Sequence, residues 1–409
     1  MGSASTVTMP TNRDENWRYA NLRPLAKAKV DAVVDAVVAG GAPRSEITLP
    51  PVLPGYERWV FVDGQFDAAL SAPAPDTCAA LLDVSEAGDA FAVLLDAEIA
   101  TGGIDFALAR LNAGRGSRVL HINAADDAQA RIEITFVATA SAAAGTSYPR
   151  VQVHAGRNAH LRIVERHISA GATDSSINAA FDLALRTDAV IDHCRLQNCA
   201  DQASCFDTLL AHVGERATYR FRTVTLGGLS SRSTILIKLA GRGARCDLTA
   251  ASIANGIQTH DVYAEIEHAG AESLTRQLYR GIATDRGKLG FNGMMKVNEA
   301  AQGADSEQSL KTLLTGAGAE AAVRPQLEIH TDRVRAIHGA TTGKLDDQML
   351  FYLLSRGIER RTAQTLLQWA FIEAAVSRIE VPELRAEIEA LIATQLNEVS
   401  ALDGLLGKP

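Results

Sequence analysis

Several features that define common classes of protein are scarce or missing in this 409-residue sequence. No run of about 18 apolar residues is present, and residues 1–12 lack the charged and apolar regions of a signal peptide, so the sequence predicts neither a membrane span nor export. No cluster of Lys and Arg forms a basic face, and the net charge is −8, which argues against nucleic-acid binding. We therefore expect a cytoplasmic protein whose partners are proteins or small molecules.

Cysteine is scarce as well, with five residues in the chain and none after Cys246. Cys194, Cys199 and Cys205 are separated by four and five residues, a spacing that matches no compact zinc or iron-sulfur motif. We interpret them as free, buried thiols, with soft-metal ligation as the alternative. Five histidines fall in predicted strands and are interpreted as ordinary strand residues: His154, His160, His167, His193 and His212.

The short motifs of common enzymes are missing too. The sequence contains no Gly-x-Ser-x-Gly, no His-Glu-x-x-His and no Gly-x-Gly-x-x-Gly. The segment Gly339–Lys344 resembles a phosphate-binding loop, but only three residues separate its two glycines, and Leu345 stands where a Ser or Thr would bind magnesium. We therefore predict that the chain does not hydrolyse ATP and has no catalytic site of its own.

What the sequence does contain is a repeat of short apolar segments over residues 116–344. A turn, a small residue and alternating apolar positions recur, and the small residues are spaced by 30, 28 and 27 positions. A nearly constant period of this size indicates a solenoid whose coils bury one another. Because each period holds strands and no helix, the sequence predicts a mainly β fold with a β-helix core; a β-sandwich is the alternative. The repeated small residues are Ala159, Ala189, Ala217 and Ala244.

The region that precedes this core, residues 1–115, has a mixed pattern. Apolar residues at near-helical spacing predict a helix over Leu22–Val38. Strand-forming residues on both sides of Asp63 and Gly64 predict a hairpin with a two-residue turn.

The region that follows the core, residues 345–409, is predicted to be helical because its apolar residues recur at helical spacing. Asp346 or Asp347 caps the first helix, Gly357 ends it, and two further helices cover residues 362–379 and 382–399. Four aromatic residues are to be divided between an intramolecular core and a partner-binding surface: Phe351, Tyr352, Trp369 and Phe371.

A set of motifs in the second half of the chain resembles one known family. The motifs, in order, are Tyr279–Ile282, Phe291–Gly293, Ala301–Gln302, Pro325–Ile329, His338–Thr341, Leu345–Asp346 and Phe351–Ile358. They resemble the C-terminal half of the SufB/SufD family of the SUF iron-sulfur cluster assembly system, and Arg13–Tyr19 looks like the N-terminal signature of its SufD branch. SufB-type members typically read His-Glu-Ala-Thr at residues 338–341 and have a cysteine in the segment matching residues 308–311. This chain has neither, which favours the SufD branch.

The resemblance implies a right-handed parallel β-helix with flanking helical regions, acting as a non-ATPase scaffold. It implies pairing with SufB and binding of the SufC ATPase through the C-terminal helices, at Phe351, Tyr352 and Arg356. It also implies that His338 faces a SufB cysteine where a nascent iron-sulfur cluster forms, transiently and shared with SufB. Many SufD-type members have a cysteine two residues before this histidine, but this chain has Ala336. His338 is then the remaining candidate for a soft metal ligand or proton relay, and the resemblance allows FAD on the assembled complex.

Other interpretations stay open at this point. His338 could instead form a structural hydrogen bond in a turn between the last predicted coil and the C-terminal helices. A SufB-like or homo-oligomeric scaffold is a second possibility within the same system. A β-helix enzyme acting on carbohydrates is a third, with Asp182 and Asp192 as its paired carboxylates.

Overall fold

The computed structural model describes residues 7–27, 47–83, 103–115, 118–139, 145–170 and 174–396. Its strands β1 to β19 form two sheets that face each other across an apolar interior. The ten-stranded sheet contains β1 (Glu57–Val62), β2 (Gln65–Phe66), β5 (Gln129–Ala138), β7 (His160–Ser169), β9 (Val190–Asn198), β11 (Thr218–Thr225), β13 (Arg245–Ala254), β15 (Leu274–Ala283), β17 (Ala304–Leu314) and β19 (Val334–Gly343). The nine-stranded sheet contains β3 (Ala79–Asp83), β4 (Arg118–Ala124), β6 (Arg150–Ala155), β8 (Ser176–Leu185), β10 (Ser204–Val213), β12 (Ser230–Leu239), β14 (Thr259–His268), β16 (Lys288–Val297) and β18 (Glu320–Ile329).

From β4 onward, successive strands alternate between the two sheets, so each coil of the chain adds one strand to each sheet. From β4 to β19 every neighbouring pair within a sheet is parallel. This arrangement is a parallel β-solenoid, which confirms the predicted mainly β, β-helix fold. The four repeated alanines are fully buried and directly precede β7, β9, β11 and β13, where only a small side chain fits against the coils above and below.

The N-terminal region contributes strands to the same two sheets. β1 pairs in parallel with β5, and β3 pairs antiparallel with β4. β1 and β2 form the predicted hairpin, with Asp63 and Gly64 at φ 48° and 82°, the left-handed conformations that a two-residue turn needs. α1 (Arg23–Lys27) lies within the predicted helix, and the rest of that helix lies outside the described residues. The division at residue 115 stays a prediction.

The first described residues cover the outer face of the nine-stranded sheet. Trp17, in a 3₁₀ turn at Glu15–Trp17, is fully buried, and its Nε1 donates a hydrogen bond of 2.8 Å to Asp105. The guanidinium of Arg232 lies 4.2 Å from the centre of the Trp17 ring. α2 (Ala107–Arg115), preceded by a 3₁₀ turn at Ile104–Phe106, contacts β8 and β10 on the same face. The Arg13–Tyr19 segment is therefore a packing anchor of the fold.

The C-terminal helices are α3 (Asp347–Ser355), α4 (Arg360–Val376) and α5 (Pro382–Gln395). Asp346 caps α3 by accepting hydrogen bonds from the backbone N–H groups of Gln348 and Met349, and Gly357 follows it at φ 82°, as predicted. α4 and α5 bury apolar residues such as Trp369 and Ile372 against the outer face of the ten-stranded sheet. None of the helices in the described part of the chain is long and apolar enough to cross a membrane.

The interior of the middle coils holds a buried network of charged side chains. Glu165 accepts hydrogen bonds from His193 Nε2 at 2.9 Å and Arg195 Nε at 2.7 Å, and it also accepts one from His167 Nε2. Arg195 in turn pairs with Asp207. Every member is almost fully buried, so each charge depends on its neighbours for compensation. The predicted strand positions of the five histidines are confirmed, and Cys194, Cys199 and Cys205 are buried free thiols, as predicted.

Candidate functional site at the open end of the solenoid

The last coil, formed by β18 and β19, is uncovered on one side. These two strands are the terminal members of their sheets, so in the described part of the chain each has only one hydrogen-bonded neighbour. Inward-facing residues one coil earlier, such as Phe291 and Leu310, are buried. Their register partners in the last coil, Val323 and Ala340, are partly or fully exposed because no further coil covers them.

His338 lies in β19, so the predicted position between the last coil and the helices is wrong. The ladder simply continues for one more period: β19 aligns with β17 over its whole length, and His338 is the register partner of Gln308. Its side chain is exposed and makes no hydrogen bond or ion pair with a described residue. The alternative of a structural hydrogen bond in a turn therefore finds no partner among the residues described.

A polar column runs inward from His338. Gln308 is buried and aligns with Gln277 one coil earlier. The Nε2 of Gln308 donates to Gln277 and to the carbonyl of Gly293, the latter at 3.3 Å, while its Oε1 has no hydrogen-bond partner. Beside this column, Thr312 and Thr342 share a hydrogen bond of 2.9 Å. His338 thus lies in register with two buried glutamines and near a hydrogen-bonded threonine pair at the end of the coil.

α3 presents the residues predicted to contact SufC. Phe351 and Tyr352 are 72% and 53% exposed, and Met349 is exposed beside them. The guanidinium of Arg356 lies 5.2 Å from the centre of the Tyr352 ring. Trp369, by contrast, is buried and Phe371 packs at the edge of the same cluster, so the structure divides the four aromatic residues into an exposed pair and an inward pair.

Two alternative chemistries lose their structural basis. The glycines of Gly339–Lys344 lie within or at the end of β19, whereas a phosphate loop must follow a strand and lead into a helix. Asp182 lies on β8 and Asp192 on β9, in different sheets. Each faces away from the interior and is held in an ion pair, Asp182 with Arg150 and Asp192 with Arg220. They do not form the paired carboxylates of a glycosidase.

Sequence reasoning missed three residues at this end. Ile329 and Ile337 expose 41% and 49% of their surface on the terminal strands, and Gln308 is the buried register partner of His338. The repeat period carried the signal for Gln308, since it lies 30 positions before His338. Nothing in the pattern marked the two isoleucines, because a strand residue becomes exposed only when the coils end.

Fold and site together define a class: parallel β-solenoid proteins with helices against the outer face and an uncovered last coil that presents an exposed histidine on its final strand. The chain matches a family model described as "SUF system FeS cluster assembly, SufBD core domain" over residues 136–371. It is 25% identical to the iron-sulfur cluster assembly protein SufD of Escherichia coli, over 95% of this chain and 89% of that protein. It is equally 25% identical to a SufBD family protein of Synechocystis, over 95% and 88%.

The chain belongs to the SufBD family of the SUF system for iron-sulfur cluster assembly. A Mycobacterium leprae member is 28% identical over 66% of this chain and 70% of its own length. The predicted family membership is confirmed, and relatives that match over nearly the whole chain include a SufD.

Proposed function

We propose that the chain is the SufD-type, non-ATPase scaffold subunit of the SUF machinery, working in the cytoplasm on nascent iron-sulfur clusters. One observation carries the proposal: in a member of this family, an exposed histidine without a described partner stands on the uncovered last coil. A neutral imidazole is a suitable ligand for iron and can also exchange a proton near neutral pH.

Pairing with SufB at this end is the first part of the proposal. Within the described part of the chain, β18 and β19 each have one edge without a strand partner, the usual template for adding strands from another chain. His338 supplies one ligand, and no group of three or more His, Cys, Asp or Glu side chains arranged to hold a metal ion occurs among the described residues. Iron-sulfur clusters are usually held by several ligands, so a cluster formed here needs ligands from a second chain, and we assign that role to SufB.

Binding of SufC through α3 is the second part. Exposed aromatic residues beside an arginine are the composition typical of energetically dominant interface positions, and Phe351, Tyr352 and Arg356 form such a group. ATP hydrolysis then belongs to SufC. FAD on the assembled complex stays a prediction, which recording the flavin absorbance of the purified complex would test.

The test is co-expression of the chain with SufB and SufC in cells that depend on the SUF system, comparing wild type with His338→Ala. We expect normal recovery of the three-subunit complex and a cluster yield, from iron and sulfide content, reduced about tenfold or more. His330→Ala is the matched control, because His330 is another exposed histidine near this end but is hydrogen-bonded to Glu328. Equal cluster yields for the two variants would contradict the proposal.

The same preparation separates SufB pairing from the homo-oligomeric alternative. The edges of β18 and β19 are equally open to a second copy of this chain. Light scattering of the chain mixed with SufB is expected to give a heterodimer. A stable homodimer that persists in the presence of SufB would favour the alternative.

A further inference from the structure

A cavity of about 240 Å³ lies far along the chain from His338, on the outer face of the ten-stranded sheet. Its other walls are the segment Pro54–Tyr56, which precedes β1, and the segment Arg378–Glu383, which connects α4 to α5 and includes the first two residues of α5. Five arginines and three carboxylates line it. The excess of two positive charges is notable because the chain as a whole carries a net charge of −8.

The register of the solenoid gathers the charges on one wall. Arg131 on β5 is the partner of Arg162 on β7, which is the partner of Asp192 on β9, and Asp192 is the partner of Arg220 on β11. Neighbouring strands are about 4.8 Å apart, so Arg131 and Arg162 stand side by side. Like charges directly opposite one another on adjacent strands are destabilising unless an opposite charge lies between them.

Asp192 does not supply that opposite charge, because both of its oxygens are already engaged. Oδ2 lies 2.9 Å from His160 Nε2, and Oδ1 accepts a hydrogen bond of 2.8 Å from Arg220. These two bonds outweigh the effect of burial and lower the pKa of Asp192. Asp192 therefore compensates the charge of Arg220 and not the charges of Arg131 and Arg162.

The remaining charges around the cavity leave the pair uncompensated. Arg222 and Arg378 both lie beside Asp247, at 2.8 and 3.7 Å. Glu380 and Glu383 are exposed at the rim of the cavity, and neither forms an ion pair with Arg131 or Arg162. Within the part of the chain that the structure describes, Arg131 and Arg162 have neither an ion-pair nor a hydrogen-bond partner.

The rest of the wall suits the body of a small molecule. Tyr56 is half-buried there, and burial raises the pKa of its hydroxyl to about 12, so the group stays a hydrogen-bond donor at neutral pH. Pro54, Val381 and Pro382 add apolar surface. Convergent polar groups within a partly apolar concave site are the usual composition of a ligand pocket.

We propose that this cavity binds a phosphate-bearing small molecule, with Arg131 and Arg162 holding the phosphate and Tyr56 and Pro54 contacting the remainder. Guanidinium groups match phosphate oxygens by paired, charge-assisted hydrogen bonds, and two adjacent forks can hold one phosphate between them. The site is independent of the cluster-assembly role of His338, because it uses other residues on the outer face of other coils.

The test uses the full-length chain and sodium pyrophosphate as the probe, with sodium chloride added to keep the ionic strength constant. Titration calorimetry is expected to give saturable binding to the wild type. The double variant Arg131→Gln with Arg162→Gln is expected to lose affinity by about tenfold or more, since hydrogen bonds to charged groups carry that much. Arg276→Gln is the matched control, expected to stay within about twofold.

Arg276 is a suitable control because it lies on the same outer column, as the register partner of Asp247, but is paired with Asp305 at 2.8 Å. The double variant Arg131→Lys with Arg162→Lys keeps the charge while removing the planar guanidinium groups, and an intermediate affinity for it supports phosphate recognition by the guanidiniums. Circular dichroism confirms folding of each variant. Absence of saturable binding to wild type, or equal affinity for wild type and either double variant, would overturn the proposal.

Discussion

The middle and the end of the solenoid place histidines on the same inward column, with opposite consequences. Register aligns His193, Phe221, Leu248, Gln277, Gln308 and His338 on successive strands. His193 is fully buried, and both ring nitrogens are used: Nε2 donates to Glu165 at 2.9 Å, and Nδ1 accepts from the Tyr219 hydroxyl at 3.0 Å. His338 is exposed and has no partner among the residues described.

The difference shows that coverage, rather than residue type or position in the repeat, decides what a histidine can do here. Burial lowers the pKa of His193, so the ring stays neutral with no nitrogen left for a ligand. At the end of the ladder the missing coil leaves an imidazole with its nitrogens available. Four predictions test this contrast between covered and uncovered coils.

Removing a carboxylate from the covered coils is expected to have the largest effect. Glu165→Ala leaves Arg195 and two histidines buried without their shared partner, and breaking such a pair costs about 3–5 kcal/mol of unfolding free energy. Glu328→Ala removes a carboxylate that pairs with a histidine at the uncovered end, and it should stay within about 0.5 kcal/mol. Urea unfolding at pH 7 measures the unfolding free energy of both variants. Similar losses for the two would contradict the contrast between covered and uncovered coils.

The same comparison applies to the aromatic residues of the C-terminal helices. Trp369→Ala empties a site in the cluster between α4 and the ten-stranded sheet, and we expect a loss of about 3 kcal/mol in unfolding free energy. Phe351→Ala, on the exposed side of α3, should stay within about 0.5 kcal/mol while weakening SufC binding by about tenfold or more. Thermal unfolding and SufC titration measure the two effects, and undiminished SufC affinity would remove Phe351 from the proposed contact.

Covered histidines should also make stability depend on pH. Burial lowers the pKa of His268 from 6.5 to about 4. Between these values the unfolded chain binds a proton that the native chain does not, so this residue makes stability fall as the pH falls below 6.5. The loss at pH 5.5 is about 1 kcal/mol.

His167 acts in the opposite sense, since Cys205 and Glu165 raise its pKa to about 10 despite burial. The measurement is therefore a difference: the change in urea-unfolding free energy from pH 7.5 to 5.5, in wild type and in His268→Gln. We expect the variant to lose about 1 kcal/mol less than the wild type. His338→Ala is the control at the uncovered end, and an unchanged slope in His268→Gln would contradict the assignment.

The smallest effect on stability is expected at the uncovered histidine itself. His338→Ala should change the unfolding free energy by less than about 0.5 kcal/mol, because the side chain is exposed and unbonded among the described residues. His193→Ala, on the same column, should cost about 1–3 kcal/mol by leaving buried groups unmatched. In cells, by contrast, His338→Ala should lower the cluster yield although it leaves the unfolding free energy nearly unchanged. A destabilised His338→Ala with normal cluster yield would make this residue structural.

Much of the fold could be predicted because its causes are local or periodic. The alanines at 30, 28 and 27 positions mark the corners of coils, and the Asp63-Gly64 pair and the Asp346 cap act within a few residues of themselves. The family motifs pointed to His338, which the structure places on the uncovered coil. The sequence pattern did not mark β19 as a strand, because the last strand of a sheet has the same local sequence character as a connecting segment.

The sequence by itself determined the repeat, the two flanking helical patterns and the membership of the SufBD family, since period, caps and motifs are written along the chain. Only the tertiary structure decided which positions of the repeat are covered. It buried Glu165 with its cations and left His338 exposed, without a partner among the described residues, and it set Arg131 beside Arg162 from strands 31 residues apart. The physical reason is that burial and the pairing of charges depend on neighbours one coil away, which no single stretch of sequence contains.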